Sequence, residues 1–127
     1  DALKDASLDA SAIDYVNAHG TGTLANDKVE GLAVENLFDG VYVSSTKAIT
    51  GHVLGAAAAI EAIISCEVIK RGLIPAQANL TEAENKTLNI PRENVAQNVK
   101  YVISNSFAFG GNNASLIFGG LSQCPKK

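Results

Sequence analysis

Tyr15-Val16-Asn17-Ala18-His19-Gly20-Thr21-Gly22-Thr23 (residues 15–23) is the stretch on which the reading of the fold turns. With Ile13 and Asp14 ahead of it, apolar and polar residues alternate as far as Asn17, which predicts a strand; the small residues and glycines that follow predict a loop at its C-terminal end. A histidine is thereby delivered to the edge of a sheet. The arrangement recurs downstream, where Val41-Tyr42-Val43-Ser44-Ser45 reads as a short strand and Thr46-Lys47-Ala48-Ile49-Thr50-Gly51-His52 as the loop after it. Ligands of open α/β sheets bind outside the carboxyl ends of the strands, so two histidines placed in this way can face one crevice.

Outward from these loops the elements alternate. Asn26 or Asp27, with Glu30 three residues after Asp27, resembles a capping box, Asp27 and Glu30 reading as capping first and catalytic second, and Val29, Leu32, Ala33, Leu37 and Phe38 form the stripe of a helix that should stop at Gly40. A long helix is predicted from Val53 to Arg71, ended by Gly72, and its thin alanine-rich start implies close packing and burial. Pro75 to Asn98 reads as polar and irregular, with a brief strand at Leu88 to Ile90. Lys100 to Ser104, a turn at Gly110-Gly111-Asn112-Asn113, and Ala114 to Phe118 then make a hairpin. The order strand, helix, strand, helix, strand, strand predicts a mixed α/β layer.

Composition narrows the function classes. In 127 residues, 46% hydrophobic and 18% charged, one globular domain is expected. A net charge of −3, with Lys126 and Lys127 the only adjacent lysines, gives no basic stripe for nucleic acid. No apolar run has the length of a membrane span, and the first residues lack the layout of a signal peptide, so a soluble, cytoplasmic protein is expected. Cys66 and Cys124 form neither a disulfide framework nor a metal spacing. The opening Asp1-Ala2-Leu3-Lys4-Asp5-Ala6 reads as the end of a helix, which leads us to expect an N-terminal partner segment.

His19 and His52 as neutral imidazoles would offer two N–H donors to one carbonyl oxygen, the requirement for stabilising an enolate. Gly20-Thr21-Gly22-Thr23-Leu24-Ala25 also matches a dinucleotide fingerprint. That rival is disfavoured because the helix is expected to start only near Asp27 and because Asp39 precedes the next strand instead of following it. A metal site is disfavoured as well, neither histidine having a second ligand within four residues. Lys47 and Glu61 read most simply as a solvated face. A buried ion pair that orients the histidine loop is the alternative, since Lys47 sits in a small, apolar loop and Glu61 is the only charge between Lys47 and Glu67. Phe107 and Phe109, flanking Ala108 at a strand end, would set their rings beside the crevice, with a backbone N–H free for an oxyanion.

Tyr15 to Thr23, Ser44 to Ala57 and Asn105 to Phe118 together resemble, in order and spacing, the C-terminal half of the β-ketoacyl-[acyl-carrier-protein] synthases, the elongating condensing enzymes of the thiolase fold. The resemblance implies the C-terminal half of a thiolase-like fold, with the nucleophilic cysteine in the absent N-terminal half; neither Cys66 nor Cys124 matches its motif. It implies that His19 and His52 are the catalytic histidines and Lys47 the active-site lysine, with Glu61 as its helix partner. Thr21 and Thr23 would contact a phosphopantetheine arm. Phe109 would be the gate, with Phe107 its neighbour. The implied activity is decarboxylative Claisen condensation of an acyl-enzyme with malonyl-acyl-carrier protein in fatty acid synthesis, without a cofactor. Acyl carrier protein, the N-terminal half and a second copy would be its partners. A non-catalytic chain-length subunit of a polyketide synthase heterodimer is the alternative from another class, and a dinucleotide-binding oxidoreductase a distant third. The chain departs from the family at Ala108, where glycine is usual, and at Asn112 and Ala58. If gating needs φ > 0 at residue 108, alanine costs about 1 kcal/mol relative to glycine.

Overall fold

The computed structural model describes residues 1–83 and 85–123; Cys124, Lys126 and Lys127 lie outside them. A short helix α1 (Ala2–Ala6) leads through one 3₁₀ turn into β1 (Tyr15–Asn17), α2 (Leu24–Leu37), β2 (Tyr42–Ser44), the single turn α3 (Lys47–Thr50) and α4 (Ala57–Arg71). Then come β3 (Leu73–Ile74), β4 (Val95–Ala96), β5 (Tyr101–Ser106) and β6 (Ala114–Gly119). The main sheet has the order β2-β1-β5-β6, with β1 parallel to both β2 and β5, and β5 antiparallel to β6. β3 and β4 make a separate antiparallel ribbon.

Alternation along the strands sends successive side chains to opposite faces. On one face Val16, Val43 and Ile103 pack with Val34 of α2 and with Phe38 just after it. On the other, Tyr15 and Val102 pack with Val68 of α4 and with Ile74. β1 is buried at every residue, as expected of a central parallel strand covered on both sides. Its register against β5 is pinned by the Asp14 carboxylate, which accepts the N–H groups of Lys100 and Tyr101.

This topology positions the site. The chain leaves β1 for α2 on one face and leaves β2 for α4 on the other, so the ends of β1 and β2 diverge. A crevice opens between them, as at the switch point of any open α/β sheet.

Several sequence expectations need correction. α2 begins at Leu24, with Thr23 at its N-cap, and ends at Leu37. The Asp27–Glu30 capping box does not exist. The buried residues are Glu30, Gly31 and Val34 of the helix and Phe38 just after it, whereas Val29, Leu32 and Leu37 are 67%, 47% and 52% exposed. The loop after β2 contains the turn α3, and a 3₁₀ turn (Leu54–Ala56) precedes α4. α4 is not largely buried: Ala57, Glu61, Ser65 and Val68 face inward, while Ala58, Ala59 and Cys66 are exposed. Within Pro75 to Asn98 the structure adds β4, and the expected strand at Leu88 to Ile90 is one bridge from Asn89 to Tyr42. No helix among the described residues is long and apolar enough to cross a membrane.

Candidate active site

His19 and His52 follow the adjacent strands β1 and β2, and their rings meet edge to face with centroids 5.4 Å apart. Phe107, just beyond β5, brings its ring to the same 5.4 Å from His19. His19 is buried, and the loop carrying it is held by the Glu30 carboxylate. One oxygen of Glu30 accepts the His19 N–H and the other the Gly20 N–H, both at 2.9 Å. Asn105 Nδ2 donates to the same carboxylate at 3.1 Å and Asn26 Nδ2 at 3.3 Å, so Glu30 joins β1, α2 and β5 at one point. The sequence reading of Glu30 is capping first and catalysis second, and the structure gives it neither a cap nor a place among the meeting rings. Its position as the one acid on the buried row with Val34 and Phe38 was the available signal.

Burial, and after it the Lys47 ammonium, push the His19 imidazole below its usual pKa of 6.5. The ring is therefore neutral at pH 7. His52 is exposed, and its Nδ1 accepts the N–H of Leu54 at 3.3 Å. An accepting Nδ1 carries no proton, which leaves Nε2–H as that ring's donor. Leu54 adopts φ 48°, a left-handed conformation that costs a leucine roughly 1–2 kcal/mol.

Lys47 and Glu61 are buried and form an ion pair between α3 and α4, so the solvated-face reading is overturned. Ser65 Oγ donates to the Glu61 carbonyl at 2.8 Å, and Asn17 Nδ2 lies 3.4 Å from it. Among the described residues, the buried side-chain polar atoms without a hydrogen bond are Asn17 Oδ1, His19 Nδ1, Thr46 Oγ1 and Glu61 Oε2. All four lie on His19, on Glu61, or within two residues of His19 or Lys47 along the chain. Unmatched buried polar atoms are costly and mark places where function competes with stability.

Thr21 and Thr23 hydrogen-bond to each other at 2.8 Å on the wall of a cavity of about 580 Å³, which Lys47 and His52 also line. Gln77, Ala78 and Leu80 line the same cavity. Phe109, in contrast, is fully exposed and its ring does not stand beside the histidines. Ala108 has φ −133°, ordinary extended backbone, so alanine there carries no strain in this conformation.

The dinucleotide reading fails for a reason the sequence did not expose. Since α2 starts at Leu24, its late start is no objection. The loop amides that would cradle a pyrophosphate are instead taken by carboxylates: His19 and Gly20 by Glu30, and Gly22 by Asp27 Oδ1 at 3.3 Å. Two acids facing that loop would also repel a phosphate. Asp39 does precede β2, as expected.

Residues 1–81 match the family described as "Beta-ketoacyl synthase, C-terminal domain". Nodulation protein E of Rhizobium meliloti is 44% identical over 125 residues, covering 91% of this chain and 30% of its own length. The 3-oxoacyl-[acyl-carrier-protein] synthase 2 of Rhizobium meliloti (strain 1021) is 45% identical over 122 residues, with 91% and 29% covered. Among solved structures, a beta-ketoacyl synthase from Burkholderia phymatum STM815 superimposes with a TM-score of 0.88 at 46% identity, over 92% of this chain and 30% of that one. The chain thus spans just under a third of the length of these relatives.

Proposed function

The chain belongs to the β-ketoacyl synthase family, with the thiolase-like fold of its ketosynthase relatives, and from that premise we propose that it supplies the decarboxylating histidine pair of a condensing acyltransferase. The observation that carries this reading is the meeting of His19 and His52 at the β1/β2 crevice, with His19 neutral at pH 7.

In the proposed reaction a malonyl thioester enters along the cavity wall made by Thr21 and Thr23, which are polar contacts for its phosphopantetheine arm. The two imidazole N–H groups donate to the thioester carbonyl oxygen. As carbon dioxide leaves, the electrons of the breaking C–C bond form the enolate, and negative charge develops on that oxygen. Donors already aimed at it stabilise the transition state more than the substrate. The enolate carbon then attacks an acyl thioester held on the nucleophile, releasing the thiolate and forming the 3-oxoacyl product. That nucleophile lies outside these residues. Lys47, tied to Glu61, holds α3 and the His52 loop in place and keeps His19 unprotonated. The backbone N–H of Phe109 is assigned to the oxyanion of the acyl-transfer step.

On this reading the domain works in a longer protein, paired with an N-terminal half and a second copy, and takes its substrates from acyl carrier protein in the cytoplasm for fatty acid synthesis. His19→Ala or His52→Ala in that protein should each lower the rate of malonyl-thioester decarboxylation by about 10²–10³-fold, read as carbon dioxide release. Decarboxylation within a factor of three of the parent would sink the proposal. The purified 127-residue chain should release no ketoacyl product.

A further inference from the structure

Ser45 sits between the two histidine loops and bonds to both. It follows β2 directly, as Gly20 follows His19 after β1, and the Asn17–Ser44 pair is the last rung of the parallel ladder joining these strands. Past that rung no further β pairing joins them. Ser45 takes over: its Oγ donates to the Gly20 carbonyl at 3.0 Å and accepts the Lys47 N–H at 3.3 Å. Its own N–H donates to Gln77 Oε1 at 2.7 Å, which ties it to another residue lining the cavity. The two loops also touch here without space to spare. A Cβ on Gly20 would come within 2.4 Å of Ser45 Cβ, and Gly20 has φ +42°.

One hydroxyl, 7% exposed, therefore connects the backbone next to His19 with the first residue of the helical turn that leads to His52. Each loop has other supports, Glu30 for the first and the Lys47–Glu61 pair for the second. Those anchor each loop to its own side of the crevice, and neither bonds one loop to the other. We propose that Ser45 is a positioning residue, whose hydroxyl fixes the separation of the His19 and His52 imidazoles and so the geometry of their two N–H donors. This rests on the decarboxylating role proposed above. Catalysis by paired donors is sensitive to spacing, and a displacement of about 1 Å can cost roughly 10²-fold in rate.

The test is Ser45→Ala in the full-length protein, which keeps the packing against Gly20 and removes both hydroxyl bonds. The kcat for malonyl-thioester decarboxylation should fall about 10- to 100-fold with KM within a factor of two, while acyl transfer to the nucleophile keeps its rate. Ser45→Cys, of similar volume and still able to donate and accept weakly, should recover part of the loss and covers the case in which the alanine variant does not fold. His52→Ala run alongside separates the two hypotheses. If it abolishes decarboxylation while both Ser45 variants stay within a factor of two of the parent, the Ser45 proposal fails and the histidine reading survives. If His52→Ala leaves decarboxylation intact, the histidine reading itself has failed. Loss of acyl transfer in step with decarboxylation in Ser45→Cys would also overturn the proposal, since it would show general damage to the site.

Discussion

The loops carrying His19 and His52 look alike in sequence, each a short strand running into small residues with a glycine beside the histidine, yet the structure holds them by different means. The first is organised from the core: His19 is buried, two consecutive amides end on Glu30, and burial keeps the ring neutral. The second is organised locally and from below. His52 is exposed, takes one bond from the left-handed Leu54, and depends on the Lys47–Glu61 pair under α3. Two rings that meet in one crevice need not be held alike. The first loop is shaped by the fold of this domain, and the second by a buried charge pair.

If that contrast is right, the largest effect should come from the buried pair. Lys47→Ala strands the Glu61 carboxylate, one of whose oxygens already lacks a partner, and should destabilise the protein by about 3–5 kcal/mol in chemical denaturation. A loss below about 1 kcal/mol would mean that the second loop is held by something else.

The glycines beside the histidines give the next largest difference. Gly51 has φ 73° and ψ 172°, a region open almost solely to glycine, but nothing lies within 4 Å of a Cβ built on it. Gly51→Ala should cost about 1–3 kcal/mol in backbone strain alone. Gly20→Ala adds the collision with Ser45 and should cost about 2–5 kcal/mol. Equal denaturation midpoints for the two variants would erase the distinction between a packed and an open loop.

The smallest effect is electrostatic. Titrated by NMR, His19 should show a midpoint below 6.5, set first by burial and second by Lys47. The unfolded chain then binds a proton at pH values where folded His19 refuses it. The His19 contribution to stability is therefore complete above pH 6.5 and is lost as pH falls from there through the folded-state midpoint. A midpoint at or above 6.5 would contradict the core-organised reading of the first loop.

Much of this site was legible in the residues. Strands followed by glycine-flanked histidines, a helix stopped by Gly72, and an apolar neighbourhood around Lys47 and Glu61 are local patterns with local causes. Glu30 was misread because a capping box and an acid on a buried helical row look the same until the helix start is known. The face that turns to the sheet is chosen by packing against the strands, which leaves Val29, Leu32 and Leu37 outward and takes Glu30 in. Phe109 was placed with Phe107 by their shared strand end. Gly110, at φ 81° in the turn just after it, lies where the backbone departs from both strand and helix, and only the Phe107 ring lies against His19.

By itself the sequence determined the four strands of the main sheet, the two longer helices, their order and the strand ends that carry the histidines, because these follow from periodicity and from glycine's backbone freedom. Only the tertiary structure decided that β2 pairs beside β1 while β5 takes its other side, which opens the crevice between the two histidine loops. The same holds for Glu30 and Ser45, which contact residues that are distant along the chain. Hydrogen bonds of that kind exist only once the sheet order has brought their partners within reach.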